Sequence, residues 1–351
     1  MKTKALQFGK AISAALFVLL LIVAGMKNAL AQNQVATLQH NNIITGVFYG
    51  QNAYSSAYDA ALEGDVITLS SGTFRVASQI RKAITLRGAG CVYDSLTQVT
   101  PTIIPDEIWL DHNGISFEGI WFTGTVFSGQ NNAYPNNNIH FTKCNIDAIG
   151  TYSGSSSDPR MNWQFDNCIV KAFYSYFTDD YFHGMSIINS VIRFANYYHA
   201  DIFNLTTIHN SIVLFNNGQD VKNIVAYNSI IAVVSDHNVS NCNFYNCIGI
   251  KTGETSLFEG QFTQNVMEVN SYEDVFETFA GIVFYENSYQ LKEGIATSFL
   301  GQDGTEVGIY GGMIPYKPRP SYMRMKRCNV ASRSTIDNKL SVEIEVLTDG
   351  E

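Results

Sequence analysis

Residues 206–213 read Thr206-Thr207-Ile208-His209-Asn210-Ser211-Ile212-Val213, and the pattern they carry decides the fold. It is an apolar residue, a gap, another apolar residue, then Asn and a small residue followed by aliphatics. Between residues 139 and 249 it returns six times, centred on Lys143-Cys144, Asn167-Cys168, Asn189-Ser190, Asn210-Ser211, Asn228-Ser229 and Asn246-Cys247. Successive centres lie 24, 22, 21, 18 and 18 residues apart. A period of roughly 20 residues marks a solenoid, in which no repeat buries its apolar face until its neighbours stack on it.

With each Cys or Ser numbered zero, position −3 holds Phe141, Phe165, Ile187, Ile208, Ala226 and Phe244. Position −5 holds Ile139, Trp163, Met185, Thr206, Ile224 and Cys242, and position +2 Ile146, Val170, Ile192, Val213, Ile231 and Gly249. The −5/−3 spacing has period two, so each copy carries a short strand with one face buried. The residue before zero is Asn in five of the six copies and Lys143 in the first. Asn tolerates the left-handed conformation of a tight bend, and its amide is expected to bond the same amide one turn above. The copies are too short for helical repeats, so the pattern predicts a parallel β-helix. Position +1 is apolar in five copies (Ile169, Val191, Ile212, Ile230 and Ile248). A row so apolar needs a cover if it faces outward, and the C-terminal segment 313–351 is the expected one.

Two further stretches extend the reading. Near the start, Ala57-Tyr-Asp-Ala-Ala-Leu-Glu-Gly-Asp-Val-Ile-Thr-Leu69 leads through Gly72-Thr-Phe74 to Ile84-Thr-Leu-Arg-Gly88. Near the end stands Gly301-Gln-Asp-Gly-Thr-Glu-Val-Gly-Ile-Tyr-Gly-Gly312. With the repeats, these resemble the right-handed parallel β-helix, pectate-lyase-like superfamily of secreted bacterial proteins over residues 53–312. The resemblance implies a capping helix and first coils at the start, and a closing motif at 301–312. It does not imply one activity, because the superfamily holds lyases, hydrolases and adhesins. The expected organisation is a leader at 1–31 and an N-terminal strand with capping helix at 32–62, the helix falling near 55–62. The β-helix follows over 63–312, with 251–300 as its last, less regular coils. A C-terminal linker and β-hairpin then occupy 313–351, where Leu340, Val342, Ile344 and Val346 alternate.

Lys2, Lys4 and Lys10 precede an apolar run from Ala11 to Ala24, and Ala29-Leu30-Ala31 supplies a cleavage site. An exported chain in the periplasm or at the cell surface is expected. Cleavage after Ala31 would remove four Lys and no acids, leaving 18 basic against 31 acidic residues, a net charge of −13. That balance speaks against nucleic acid and anionic membrane as partners. No other run is apolar and long enough to span a membrane, and a monomer is expected. Cys144, Cys168 and Cys247 sit where other copies have Ser, so stacked inward thiols are read in preference to disulfides.

Four constellations could carry chemistry. Asp179, Asp180, Asp201, Asp220 and Asp236 recur before the strands, and Asp180 and Asp201 stand 21 residues apart, one coil. Stacked in register they would be neighbours. They read as turn-capping carboxylates, as a calcium site with Asp179, or as the acid and nucleophile of a glycosidase. Secondly, Thr178-Asp-Asp-Tyr-Phe-His-Gly184 holds the Asp-Asp and His-Gly motifs of polygalacturonase-type hydrolases. Here they are compressed into one stretch, with the accompanying motifs missing; His183 would be the assisting group. A third set, Asp147, Lys171 and Arg193 at position +3, is an ion-pair ladder or, by the same resemblance, supplies the base of a calcium-assisted lyase. Fourthly, the outward positions of the repeated strand, His140, Asp166, His209, Tyr227 and Tyr245, with Tyr198 from a nearby loop, form a polar aromatic strip. Sugars dock on such surfaces. The resulting expectation is an exported solenoid that binds polysaccharide. The alternative is a polysaccharide lyase or glycoside hydrolase using Asp180, Asp201, His183 and Arg193, with calcium as its cofactor.

Overall fold

The computed structural model describes residues 34–128, 136–151, 160–175, 182–195, 203–216, 221–234, 238–251, 253, 256–319, 324–330 and 342–347. Residues 1–31, read as the leader, lie outside these. The chain is an all-β parallel solenoid of about eight turns. None of its described helices is long and apolar enough to cross a membrane.

Each coil contributes a short strand to a long parallel sheet. Its members include Val66–Leu69, Thr85–Arg87, Ser116–Glu118, His140–Thr142, Gln164–Asp166, Ser186–Ile188, Thr206–His209 and Ile224–Tyr227. The sheet closes on Asn243–Lys251 and Phe262–Val269. After a bend, each coil enters a second face, where Ile169 pairs with Val191, Val191 with Ile212, and Ile212 with Ile230. The period-two reading holds: the −3 residues Phe141, Phe165, Ile187, Ile208, Ala226 and Phe244 are all fully buried. Phe117, Phe141 and Phe165 stack along the interior at 5.1 and 5.3 Å.

The bend is left-handed in every repeat. Lys143, Asn167, Asn189, Asn210, Asn228 and Asn246 have φ between 44° and 55°, as does Asn265 at 51°, with Gly119 at 64° one coil earlier. This turn aims the next residue inward: Ser or Cys in the six repeats, and Ile120 and Val266 in the flanking coils. Ser190, Ser211 and Ser229 each donate from Oγ to the carbonyl two residues back, at 2.7 Å. Ser190, Ser211 and Ser229 also accept the backbone N–H of Cys168, Ser190 and Ser211 on the preceding coil, at 2.9–3.1 Å. A buried hydroxyl is thereby satisfied on both sides. Cys91, Cys144, Cys168, Cys242 and Cys247 are buried free thiols. Burial pushes the Cys247 thiol up to about 12, so it stays protonated.

A second left-handed row escapes the sequence reading. At position −6 stand Asn138, Asn162, Leu205, Asn223 and Asn241, with Gly114, Gly184 and Gly260 completing it, at φ of 54–73°. Here amides do stack: Asn162 Nδ2 donates to Asn138 Oδ1 at 3.0 Å, and Asn241 Nδ2 to Asn223 Oδ1 at 2.5 Å.

The −1 amides behave differently from expectation. Four of the five, at Asn167, Asn189, Asn228 and Asn246, bond the backbone of residues 300–317, which run back along the outside of the second face. Asn246 Nδ2 donates to Leu300 O at 3.1 Å, Asn228 Oδ1 accepts from Gln302 N at 2.9 Å, and Asn189 Nδ2 donates to Gly311 O at 3.1 Å. Asn167 Oδ1 accepts from Lys317 N at 2.7 Å. The glycines of the 301–312 motif allow this approach: a Cβ on Gly301 would lie 2.8 Å from the Asn228 amide, and one on Gly311 1.8 Å from Glu306 O.

The same strap covers the +1 row. Ile169, Val191, Ile212, Ile230 and Ile248 form a second core with Val275, Phe276, Phe279, Val283, Tyr289, Leu291, Val307 and Ile309. Exposing one such side chain forfeits about 1.5–3 kcal/mol, so the cover is obligatory. The expectation of a cover is met, but its occupant differs. Residues 275–309 supply it, and among the described residues of the C-terminal segment Tyr316 packs against this core. Residues 272–300 therefore add no coil; the last strand of the ladder is Phe262–Val269.

At the other end, Val35–His40 and Ile43–Tyr49 form an antiparallel hairpin, and Val35–His40 also pairs with the first coil strand, Val66–Leu69. Helix α1 (Ala53–Ala60) closes the opening with Ala53, Tyr54 and Ala57 buried. The C-terminal hairpin is present as Arg324–Val330 against Val342–Leu347; the turn expected near Asp337 lies outside the described residues.

Leu205 holds φ +57° while 60% exposed. Left-handed backbone costs a branched residue about 1–2 kcal/mol, and this leucine recovers little by burial. Leu205→Asn is expected to raise the free energy of unfolding by about 1 kcal/mol in urea titration. A lower midpoint would show that the corner is not strained.

Candidate functional site

The long sheet presents its other face outward, and the strap does not take that face. Strand register aligns its side chains in two rows. One runs Arg87, Glu118, Thr142, Asp166, Ile188, His209, Tyr227, Tyr245; the other Thr85, Ser116, His140, Gln164, Ser186, Thr207, Val225, Asn243. Five of the expected binding residues, His140, Asp166, His209, Tyr227 and Tyr245, are thus brought onto one surface. Tyr198 lies outside the described residues. His140 is exposed and the other four are half-buried.

The rings are arranged in a way the spacing does not reveal. His209 stacks on Tyr227 at 4.8 Å and 10°, and Tyr227 on Tyr245 at 4.7 Å and 8°. Phe262, 57% exposed, lies opposite Asn243 in the adjacent row and flanks the end of the stack at 5.5 Å and 49° from Tyr245. Ring planes lie across the solenoid axis, so neighbouring rings occupy each other's faces and leave edges and hydroxyls for a ligand. The expected docking of a sugar on a tyrosine face is therefore not available within the stack; the end ring, Phe262, is the more open. Toward the other end the surface becomes charged. Arg87 Nε meets Glu118 Oε2 at 2.7 Å, and Asp166 Oδ1 accepts from Asn167 Nδ2 at 2.8 Å.

The position +3 residues face the strap instead of solvent. Lys171 Nζ lies 3.5 Å from Asp147 Oδ1 and 3.9 Å above the Tyr285 ring. Asp147 also accepts from Trp121 Nε1 at 3.0 Å and from the Tyr285 hydroxyl. With the Asn216 amide turned oxygen-inward, that oxygen accepts from Arg193 Nε and Nη2 at 2.8 and 2.9 Å. The ion pair of the ladder reading forms between Asp147 and Lys171, and both basic residues are engaged. Nothing here resembles a base poised over an open groove.

His183 belongs to a small separate sheet, Phe182–His183 between Arg160–Met161 and Phe203–Asn204. It is not brought together with Arg193, which sits on the strap-facing strand Val191–Phe194. Asp179, Asp180 and Asp201, the expected carboxylates and calcium ligands, lie outside the described residues. Among the described residues no group of three or more His, Cys, Asp or Glu is placed to hold a metal. Sequence reasoning missed a cavity of about 580 Å3 in the strap, lined by Glu277, Gln290, Leu291, Glu293, Glu306 and Tyr310. Burial raises the Glu306 carboxyl there.

No protein-family model matches the chain, and no curated protein or solved structure matches it. The class defined by its coordinates is the parallel β-solenoid.

Burial in the stack lowers the pKa of His209. A histidine whose folded pKa is depressed holds fewer protons folded than unfolded just below about pH 6.5, so its contribution falls as pH falls through that region. Wild-type protein is expected to lose more stability between pH 7 and 5 than His209→Gln, measured by urea midpoints. Parallel pH profiles would remove His209 as the cause.

Proposed function

We propose that this chain is an exported β-helix protein of the pectate-lyase-like kind that binds polysaccharide along the outward face of its long sheet. The observation that carries the reading is the register of that face. His140, Asp166, His209, Tyr227 and Tyr245 share one surface, with ring-to-ring spacing of 4.7–4.8 Å where they stack. A regular row of hydroxyls and ring edges at that spacing suits an extended glycan lying along the axis, whose sugars repeat at a comparable rise. The face mixes amides, hydroxyls, an ion pair and aromatics, the composition of a sugar-binding surface. Export rests on the leader-like stretch 1–31, and the acidic balance turns anionic surfaces away. The lyase or hydrolase alternative loses support at Lys171 and Arg193, which are committed to Asp147, Tyr285 and Asn216.

Affinity electrophoresis in gels containing soluble glycans tests this directly. The wild-type chain is expected to be retarded by at least one glycan. Replacing both Tyr227 and Tyr245 by Ala should weaken that retardation at least about tenfold, equivalent to about 1.4 kcal/mol. Migration unchanged by every glycan, in a panel spanning neutral and uronate polymers, would end the binding reading. Release of reducing ends or of an unsaturated sugar product would establish the enzyme alternative instead.

A further inference from the structure

The strand Ile43–Tyr49 is the edge of the long sheet at its N-terminal end. Among the described residues it pairs with Val35–His40 alone, and Val35–His40 pairs on its other side with the first coil strand.

Two kinds of group are left uncovered at this edge. The first is backbone. The Gly50 N–H donates to Gln34 O at 2.9 Å, and an antiparallel ladder alternates, so Phe48 and Gly46 also turn their N–H and C=O towards Val35–His40. Val47 and Tyr49 therefore turn theirs to the open side. The second is apolar side chain. Ala36 and Leu38, opposite Phe48 and Gly46, are buried. Ile44, Val47 and Tyr49, opposite Gln39, Thr37 and Val35, accordingly lie on the outward face, where they are 57, 43 and 68% exposed.

Natural sheets guard such edges with charge, proline or a cover. The strand at the far end, Phe262–Val269, carries a charge at Glu268, which pairs with Lys251 at 3.5 Å. Residues Asn41 to Tyr58 contain no charged residue and no proline. On a chain of net charge −9, such a stretch lets a second copy approach without meeting like charge.

The strand is also its own complement. With a two-fold axis normal to the sheet at Phe48, Val47 of each copy stands opposite Tyr49 of the other. Both pairs are then of the hydrogen-bonded kind, so the outward N–H and C=O of both residues are satisfied in both copies. A valine facing a tyrosine is moreover a favourable cross-strand pair. Such a contact is isologous and closes on itself, so assembly stops at two copies.

We propose that Ile43–Tyr49 is a dimerisation edge, to which a second copy of this chain adds its own Ile43–Tyr49 strand in antiparallel register, joining two solenoids end to end. The inference stands on the edge itself and does not require the glycan reading. One strand from each copy makes a small contact, of the class below about 1,200 Å2, so the dimer dissociates on dilution.

Sedimentation velocity over a dilution series, on the chain purified as its host makes it, tests this. Monomer is expected at low concentration and dimer at high. Added salt should move the balance towards dimer, because it screens the repulsion between two acidic bodies. Val47→Pro removes an outward donor and spares the bonds to Val35–His40, and Tyr49→Glu sets a charge at the edge. Each should weaken dimerisation at least about tenfold. If Val47→Pro lowers the melting temperature markedly, Val47→Glu takes its place. A single monomeric species at every concentration, as expected from the sequence, would overturn the proposal. So would a dimer undiminished in the variants, which would put the contact elsewhere, or growth beyond two copies, which would make it head-to-tail.

Discussion

One backbone conformation organises this molecule: the left-handed residue immediately before each inward Ser or Cys. At φ near 50° it turns the chain from the long sheet onto the second face. It buries a small hydrogen-bonding side chain at the corner and leaves the Asn amide pointing out. Every larger feature inherits from this. The inward Ser hydroxyls tie adjacent coils together, and the outward amides receive the strap, so the bend both closes the coil and attaches its cover. Asn suits the position twice over, as the side chain best able to tolerate the backbone and as one with both a donor and an acceptor.

The two outer faces are then divided between stability and exposure. The second face carries an aliphatic row that cannot remain wet, and the strap lays Val275, Phe276, Phe279 and Ile309 over it. The strap also takes up Lys171 beneath Tyr285, and Asn216 on the neighbouring coil binds Arg193; these are the basic residues that lyase chemistry would have needed in the open. The long sheet keeps hydroxyls, amides and aromatic edges in register on its outward side. Binding is therefore argued from the face the fold leaves available.

Much of this was legible in the repeats, and the limits have physical causes. Period two at −5/−3 identified the buried strand, and the phase change at Asn identified the corner, because both are imposed coil after coil. The apolar +1 row announced that something must cover it. What covers it was not legible: residues 275–309 are aromatic but aperiodic, and a segment that packs across coils need not repeat with them. The second corner at −6 was missed because Asn, Gly and Leu205 share it, so no single residue type marks the row. Spacing aligned His209, Tyr227 and Tyr245, but it carries no information on ring orientation, and the 8–10° stacking that hides their faces emerged only from coordinates. A pocket beside α1 joins Gln34 to Arg75 across three pieces of chain, a proximity no local pattern encodes.

The most direct test of the account is hydrogen–deuterium exchange with and without a retained glycan. Peptides covering Thr206–His209, Ile224–Tyr227 and the start of Asn243–Lys251 are expected to gain protection together. Exchange in the strap, 272–317, should stay unchanged. Protection confined to the strap, with the long sheet unaffected, would place the glycan elsewhere and contradict the division of labour between the two faces.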